Sequence, residues 1–590
     1  MKKPDRQKQS GFSLVETLVA IALFVIIAGA VYQAYGEILQ LIIKNQWRAD
    51  AVSVLQNEIE AIRDMAYEDV GISGGYPAGK IVSPKTVVMD GNIFTVTSAV
   101  RSIDDPFDGT LGGTPNDTAP ADYKLVELEA TCDSCANFGK VSMTTTVAPK
   151  ALESASTNGN LFINAIDASG NPVSDANVSV TNNQVTPVIS INDRTNNNGV
   201  LQLVDVPTST VAYHISISKA GYSSDQTYPI GGQYNPNPIK PDATVVSQQV
   251  TSISFAIDKT GSLNVKTINQ MCQPVSSVDF GMTGAKLVGT NPNVPKFSQL
   301  FTSDSNGSQS IGSLEWDSYS ISANDQQYAL LGTIPLLPVS LVPAQNTSLS
   351  MIMQPKNPSA LLVTVTDMNG NPINDASVEI IKSPYDQTMQ TGIRTYSQTD
   401  WSGGNYSTQS GNIETETYPG KLELKNNGNG YATSSEWLIS NTIDFGANDV
   451  VFGNFSWNPT SQPLQAGTES LGFQFASNDD NATWNFTGPD GTANSVYYSP
   501  SGINSGISGH RYFRYKVFMK TINQNYTPSL NDISLDFSSS CVPGGQAFFD
   551  GLSTGIYTVN VTKNGYQPYA NSNVSVSSEW QELKLQLTTL

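Results

Sequence analysis

Basic residues are scarce in this chain. Its 590 residues include 31 Lys and Arg against 51 Asp and Glu, which gives a formal net charge of -20 at pH 7. Proteins that bind nucleic acid present a concentrated positive surface, so this balance argues against nucleic acid as a partner. Charged residues make up only 14% of the sequence, while Asn, Ser, Thr and Gly are abundant. This composition is typical of a β-rich protein outside the cytoplasm.

Histidine and cysteine are too few for most catalytic and metal-binding chemistry. His214 and His510 are far apart, and neither has a nucleophile motif such as GxSxG beside it. Cys132 and Cys135 form one CxxC pair, and no second pair completes a zinc site. No phosphate-binding loop or dinucleotide fingerprint occurs. We therefore predict a protein that is not an enzyme and has no cofactor; a glycan-active enzyme is the remote alternative, because two carboxylates suffice for glycoside hydrolysis.

The cysteines suit an oxidising compartment. A small structural disulfide is the favoured interpretation of Cys132 and Cys135, and a redox motif is the alternative. Cys272 and Cys541 either pair or stay free, since connectivity is not readable from sequence.

A long apolar run occurs near the N-terminus. From Thr17 to Gly36 there are twenty uncharged residues, about the ~20 that span a bilayer as a helix. The preceding leader holds four basic side chains, which predicts a single-pass protein with its N-terminus inside and its C-terminus outside. Glu16 lies near the start of the run, where an unpaired carboxylate is costly. A secretory signal cut after Ala28-Gly29-Ala30 and a plain membrane anchor are the alternatives.

The segment Gly11-Phe12-Ser13-Leu14-Val15-Glu16 resembles the prepilin cleavage and methylation motif of type IV pilins and type II secretion pseudopilins. The resemblance implies that a prepilin peptidase removes the leader 1–11 by cutting after Gly11, and that Phe12 is N-methylated. It also implies that Glu16 pairs with the N-terminal amine of a neighbouring subunit. Other pilin or pseudopilin subunits and the cytoplasmic membrane are then the expected partners.

The pattern after the motif predicts a helix and then a small sheet. Residues 12–66 are expected to form one helix, because Val52, Leu55, Ile59 and Ile62 recur at helical spacing. Residues 67–150 alternate in three β-branched stretches and resemble a pilin β head.

Three related segments then follow at intervals of about 100 residues. Each begins as a strand, a turn, a proline and a second strand, and the prolines are Pro172, Pro274 and Pro372. We expect three antiparallel β-sandwiches at 158–258, 259–356, and 358–383 joined to 541–590, with tight turns at Gly199, Gly307 and Gly545. The pattern resembles carboxypeptidase regulatory-like, prealbumin-like or Cna-B-like domains, which are immunoglobulin-like in architecture.

The third sandwich is split by residues 384–540, which read as an inserted jelly roll and resemble discoidin-like or carbohydrate-binding modules. Trp484 with Asp479 and Asp480 is the candidate ligand cluster, for a sugar or for calcium. The structural alternative places the tryptophans in the core and the acidic run in a turn.

Together these features predict a multidomain chain with an α+β N-terminus and all-β domains after it. The predicted function is a minor pilin-like subunit that assembles through its helix and displays its β domains for adhesion to a glycan, a host or a neighbouring cell. A minor pseudopilin of a type II secretion system and a surface protein that never polymerises are the alternatives.

Overall fold

A computed structural model describes residues 14–150, 155–417 and 420–590. One long helix is followed by many strands in separate sheets, so the predicted fold class, a multidomain chain with an α+β head and all-β domains, is confirmed. The chain divides into two compact units, one of Met1–Asp258 with Val288–Val294 and one of Lys259–Leu287 with Pro295–Leu590. Each unit is described separately.

The first unit begins with helix α1, Leu14–Arg63, whose 50 residues extend about 75 Å at ~1.5 Å each. A short 3-10 helix, Tyr67–Asp69, follows it. Val52, which the sequence analysis placed in the apolar stripe, is only half-buried. The buried face comprises Asp50, Ala51, Val54, Leu55, Ile59 and Ile62.

The second half of α1 packs on an antiparallel sheet of four strands. The strands run β1 (Lys85–Met89), β2 (Asn92–Ile103), β3 (Tyr123–Cys132) and β4 (Val141–Val147) and lie in the order β1-β2-β3-β4. Phe94, Val96 and Leu128 point from the sheet into the core that the helix covers. We call this sheet with the buried half of α1 the head.

The next domain of this unit, sandwich 1, has eight strands. They are β5 (Gly159–Ile166), β6 (Asn177–Asn182), β7 (Ile189–Arg194), β8 (Val200–Val206), β9 (Ser209–Ser218), β10 (Asp225–Gln226), β11 (Ala243–Val245) and β12 (Val250–Ala256). One sheet has the order β12-β5-β8 and the other β10-β9-β6-β7, with β11 on β9. Alternate residues of both sheets form one core.

The second unit begins with sandwich 2. Its strands are β13 (Gly261–Ile268), β14 (Asp279–Gly284), β17 (Ser298–Thr302), β18 (Ser308–Leu314), β19 (Asp317–Ala323), β20 (Tyr328–Ile334), β21 (Val339–Leu341) and β22 (Asn346–Pro355). Between β14 and β17 the chain forms the short strands β15 (Leu287–Gly289) and β16 (Val294–Pro295), which bound the segment Val288–Val294 of the first unit. The two main sheets have the orders β18-β13-β22-β20 and β17-β14-β19-β21, and β15 pairs with β16.

Sandwich 3 starts with β23 (Ala360–Thr366), β24 (Ser377–Lys382) and β25 (Tyr385–Gln390). β25 pairs with β24 along its whole length, from Lys382 opposite Tyr385 to Ser377 opposite Gln390. The bounds expected from the sequence, 358–383 for this half and 384–540 for the insert, assign β25 to the insert. Ser383-Pro384 was therefore expected to separate the two domains. It is instead the turn of a hairpin within sandwich 3.

The insert follows, and we call strands 394–538 the insert domain. Its strands are β26 (Arg394–Gln398), β27 (Thr408–Gln409), β28 (Ile413–Glu414), β29 (Leu422–Leu424), β30 (Glu436–Ile439), β31 (Ile443–Asp444), β32 (Val451–Asn458), β33 (Leu471–Asn478), β34 (Ser501–Gly502), β35 (Tyr512–Met519), β36 (Ser529–Leu530) and β37 (Asp532–Ser538). Three 3-10 helices, Ser402–Gly404, Leu464–Ala466 and Ser505–Ile507, lie between them. The two main sheets, β26-β37-β32-β34 and β27-β30-β35-β31 with β33 on β35, share one aromatic core.

The chain then returns to sandwich 3 with β38 (Gln546–Phe549), β39 (Gly555–Thr562), β40 (Tyr569–Val576) and β41 (Trp580–Gln586). These strands complete the sheets β38-β23-β41 and β25-β24-β39-β40. The two halves of sandwich 3 therefore share one core despite the insert between them.

One backbone contact recurs in all three sandwiches. The predicted turn glycines all have positive φ, a backbone conformation that residues with a side chain rarely adopt. Each glycine carbonyl accepts a hydrogen bond from the first strand: Ala165 N to Gly199 O at 2.8 Å, Thr267 N to Gly307 O at 2.7 Å and Val365 N to Gly545 O at 2.7 Å. All three segments therefore share this local structure.

Candidate functional site

The first half of α1 is the most conspicuous surface of the described chain. Every residue from 14 to 43 is exposed, and the most apolar window has a mean hydropathy of 2.6 with no residue buried. α1 is thus long and apolar enough to cross a membrane. A continuous apolar surface of this size requires a membrane or other helices to cover it.

Glu16 lies in the first turn of this exposed helix. The N-terminus of a helix carries a partial positive charge, which favours a carboxylate at that position. The predicted cleavage and methylation residues, Gly11 and Phe12, lie outside the described residues. The structure therefore places Glu16 at the start of the apolar surface, next to the segment that the motif predicts to be cut.

The helix is joined firmly to the head beyond this surface. Arg63 Nε donates to Thr145 Oγ1 at 2.9 Å, and Lys85 Nζ lies 2.6 Å from Glu58 Oε1. These contacts, with the buried face of α1, fix the sheet of the head to the second half of the helix.

Both CxxC cysteines lie where the last hairpin of the head turns. Cys132 ends β3 and is joined to Cys135 in a disulfide. The thiols are therefore occupied by each other, which suits a structural role.

A second disulfide joins Cys272 to Cys541 across 269 positions of sequence. Cys272 lies in the first turn of sandwich 2, where Met271 and Cys272 pack against the core of the insert domain. Cys541 lies where the chain leaves the insert domain for β38. The sequence had left this pairing open, because neither cysteine has a local partner.

The carboxylates of the predicted ligand cluster are engaged in local hydrogen bonds. Asp480 Oδ1 accepts hydrogen bonds from the backbone N–H groups of Ala482 and Thr483, and its Oδ2 accepts one from the Thr483 hydroxyl at 2.7 Å. These bonds lower the pKa of Asp480 to about 2. The carboxylate is therefore a turn cap.

The neighbouring Asp479 is also engaged. Its Oδ2 lies 2.8 Å from His510 Nδ1, and its Oδ1 accepts the backbone N–H of Arg511. Within residues 14–150, 155–417 and 420–590 no group of three or more His, Cys, Asp or Glu side chains is placed to hold a metal ion.

The four tryptophans of the insert divide into two pairs. Trp401 and Trp457 are buried in the core, and Trp401 Nε1 donates to the Tyr515 hydroxyl at 2.6 Å. Trp437 and Trp484 are half-exposed, and a basic side chain lies over each ring. The structural alternative therefore holds for one pair, while the other pair lies on an accessible face.

His214 lies among polar partners without forming a catalytic arrangement. Its Nδ1 is 3.0 Å from Asp242 Oδ1, and the hydroxyl of Thr227 donates to the same oxygen at 2.7 Å. Thr227 is fully buried, so its hydroxyl is closed to a substrate. This cluster stabilises the β9–β11 region of sandwich 1.

Comparison with known proteins adds one finding about the N-terminus. Residues 6–32 match the family model of the prokaryotic N-terminal methylation motif. No curated protein matches the chain. The matched segment covers Gly11, Phe12 and Glu16, so the predicted cleavage, methylation and assembly residues all lie within this motif.

Solved structures of bacterial surface proteins are similar only at a low level. GBS52, the minor pilin of Streptococcus agalactiae, is 14% identical over 34% of this chain and 99% of its own, with a TM-score of 0.18. The streptococcal ancillary pilin is 10% identical over 73% of this chain and 99% of its own, with a TM-score of 0.15. The Bacillus anthracis TIE protein is 10% identical over 54% and 67%, with a TM-score of 0.15. At these TM-scores the likenesses carry no argument about function.

Proposed function

We propose that this chain is a low-copy, pilin-like filament subunit that displays β domains for adhesion. The observation that supports this most directly is the exposed apolar half of α1, with Glu16 at its start, behind a methylation motif. A prepilin peptidase would cut after Gly11 and methylate the new N-terminus at Phe12. The role is structural, and the chain contributes no catalysis.

The same apolar surface serves before and after assembly. In the membrane, lipid covers residues 14–43, with the basic leader inside and the domains outside. In the filament, the helices of neighbouring subunits replace the lipid. Glu16 then meets the amine of a neighbouring Phe12, and in a medium of low dielectric this pair attracts far more strongly than in water. Because either charge alone is costly there, the pair also fixes the axial register.

The size of the ectodomain favours a position at the tip or at low copy number. The chain continues for 440 residues beyond Lys150, arranged as three sandwiches and the insert domain. That bulk on every subunit would crowd a closely packed helical array. A subunit at the tip would carry the same domains without obstruction and would present them to another surface.

Mass spectrometry of the mature N-terminus tests the processing. We expect a chain that starts at N-methylated Phe12. A chain that starts at Val31, after Ala28-Gly29-Ala30, would contradict the proposal, because a secretory signal would then have been removed together with the assembly surface.

A matched pair of helix variants tests assembly. Glu16→Gln keeps the shape of the side chain and removes its charge, so it should leave the protein in the membrane but absent from sheared filaments. Glu37→Gln makes the same change further along α1, on the C-terminal side of Glu16, and should leave incorporation into filaments intact. Equal incorporation of both variants would contradict the pairing. Loss of exported enzymes rather than of filaments or adhesion, in a strain without this protein, would identify a secretion pseudopilin instead.

A further inference from the structure

One face of the insert domain has an unusual concentration of positive charge. The chain has 31 basic residues in 590, yet residues 511–520 alone contain four. They are Arg511, Arg514, Lys516 and Lys520. β35 alternates buried and half-exposed residues, so Arg514, Lys516 and Phe518 lie side by side on the outer face of the sheet. We call this surface the β35 face.

Two of these cations are neutralised by carboxylates. Arg511 makes two hydrogen bonds to the carboxylate of Asp444, at 2.7 and 2.8 Å. Lys520 Nζ lies 3.1 Å from Glu469 Oε2. These pairs account for the charge at the two ends of the β35 face.

The two central cations lack such a partner. Arg514 donates to the hydroxyl of Thr442 at 2.9 Å, and no carboxylate within the described part of the chain pairs with Arg514 or Lys516. Burial alone lowers the pKa of both side chains, whereas a nearby carboxylate would raise it. In a chain with a net charge of -20, two uncompensated cations side by side are a local exception.

Aromatic rings hold both cations in place. Lys516 Nζ lies 4.9 Å from the ring centroid of Trp437 and 4.8 Å from that of Phe518. The Arg514 guanidinium lies 4.4 Å from the ring of Trp484. Such contacts fix the position of a charge without neutralising it.

Aromatic side chains also meet on either side of Phe518 in β35. In β30, Trp437 lies opposite Phe518, and in β33 Gly472 lies on the other side of Phe518. A Cβ at Gly472 would come within 2.8 Å of the Tyr498 ring, so the glycine leaves room for that ring next to β33. Phe518, Tyr498 and Lys516 line a groove of about 520 Å³, a volume within the range of small-molecule sites.

We propose that the β35 face binds an acidic oligosaccharide, with a sugar ring stacked on Tyr498 in the groove and the sugar carboxylate paired with Lys516, which Trp437 and Phe518 hold in place. The C–H face of a pyranose ring is apolar and matches an aromatic platform, while its hydroxyl groups reach the polar rim. Arg514 extends the positive surface to a second acidic residue. This inference rests on the proposed display of the insert domain at a surface and names its ligand class.

The charges distinguish this ligand from two others. A neutral saccharide would leave Lys516 unpaired after partial desolvation, so binding would lose the stronger charge-assisted hydrogen bond. A single-stranded nucleic acid needs a positive groove that follows the backbone, whereas only two cations here are uncompensated. Since the chain has a net charge of -20, a ligand with isolated carboxylates suits the site better than a dense polyanion.

Calorimetric titration of the full chain in detergent tests the proposal with three probes: a hexamer of galacturonic acid, cellohexaose and a dodecamer of deoxythymidine. We expect the galacturonic acid hexamer to bind at least tenfold more tightly than the other two and to weaken in 0.5 M salt. Lys516→Gln should weaken its binding about tenfold, because a charge-assisted hydrogen bond is lost. Tyr498→Ala should weaken both saccharides.

Lys286 provides the matched control. Its Nζ also lies over a tryptophan, 3.4 Å from the ring centroid of Trp316, but it is paired with Glu315 at 2.7 Å. Lys286→Gln should therefore leave binding unchanged. Equal binding of acidic and neutral hexamers, tighter binding of the oligonucleotide, no binding of any probe, or no effect of Lys516→Gln would each overturn the inference. None of these outcomes bears on cleavage after Gly11, which the N-terminal mass measures separately.

Discussion

Replacing Cys272 and Cys541 by serine should loosen the insert domain from sandwich 2. The disulfide between them is the only described covalent link between these two domains besides the chain itself. It closes a loop across 269 positions, for which the loop-entropy relation gives a ceiling of about 5.6 kcal/mol at 25 °C. The packing of Met271 against the insert core depends on the same connection.

The measured effect should fall below that ceiling. Sandwich 3 already holds the two ends of the insert close together, since β25 and β38 belong to one folded domain. The disulfide therefore adds only the constraint between the insert and the first turn of sandwich 2. We expect a loss of about 2 to 4 kcal/mol, which lowers the melting temperature of the insert by roughly 4 to 16 °C.

Differential scanning calorimetry without reductant measures the melting temperature of the insert domain. Separate transitions are fitted, because a multidomain chain does not unfold in one step. The matched control is the pair Cys132→Ser and Cys135→Ser, whose separation of 3 positions gives only about 1.6 kcal/mol and affects the head. A shift of the insert transition below about 2 °C would refute the coupling. An equal shift of the insert transition in the control variant would mean that the loss does not come from the link between Cys272 and Cys541.

Three further predictions concern buried side chains. Burial raises the pKa of the Asp50 carboxyl, and the charge of Asp90 raises it further. The folded state therefore holds the proton more tightly than the unfolded state. As a result, the free energy of unfolding falls as the pH rises from about 4 through the raised pKa. Asp50→Asn should therefore raise the melting temperature of the head at pH 7 and leave it unchanged near pH 3. Arg394 is buried; its Nη1 donates to the carbonyl of Gln546, while its Nε and Nη2 have no hydrogen-bond partner among the described residues. Arg394→Met should therefore be neutral or stabilise the second unit by about 1 to 4 kcal/mol in thermal unfolding. A clear loss of stability would show that the charge is needed. Ile59→Ala should cost the head about 2 to 5 kcal/mol in urea unfolding, and a loss below 1 kcal/mol would contradict the packing of α1 on the sheet.

The sequence predicts those parts of the fold whose signals are local. Helical spacing over Leu55, Ile59 and Ile62 indicates the face that packs on the head, and it differs from the structure only at Val52. The turn glycines at Gly199 and its counterparts are readable because a positive φ at a fixed place in a repeat demands that residue type. Each of these features depends on residues that lie within one or two elements of each other.

Features that depend on distant pairing are not readable in this way. The hairpin of β24 and β25 was missed because Ser383-Pro384 marks a turn without saying which strand follows it in the same sheet. The pairing of Cys272 with Cys541 depends on how the insert returns to sandwich 3. Loop closure over such distances leaves no local pattern, so only the folded chain reveals it.

The N-terminal motif and the β35 face differ in the same respect. Cleavage and methylation act on a linear segment, so Gly11, Phe12 and Glu16 are identifiable from their order alone. The β35 face instead depends on cross-strand register. Trp437 is 81 positions from Phe518, and only the pairing of β30 with β35 brings the two together. A shift of that register by one residue would turn Trp437 into the core and leave Lys516 without its ring. Surface ligands of this chain are therefore encoded in strand pairing, whereas its assembly is encoded in the order of a few N-terminal residues.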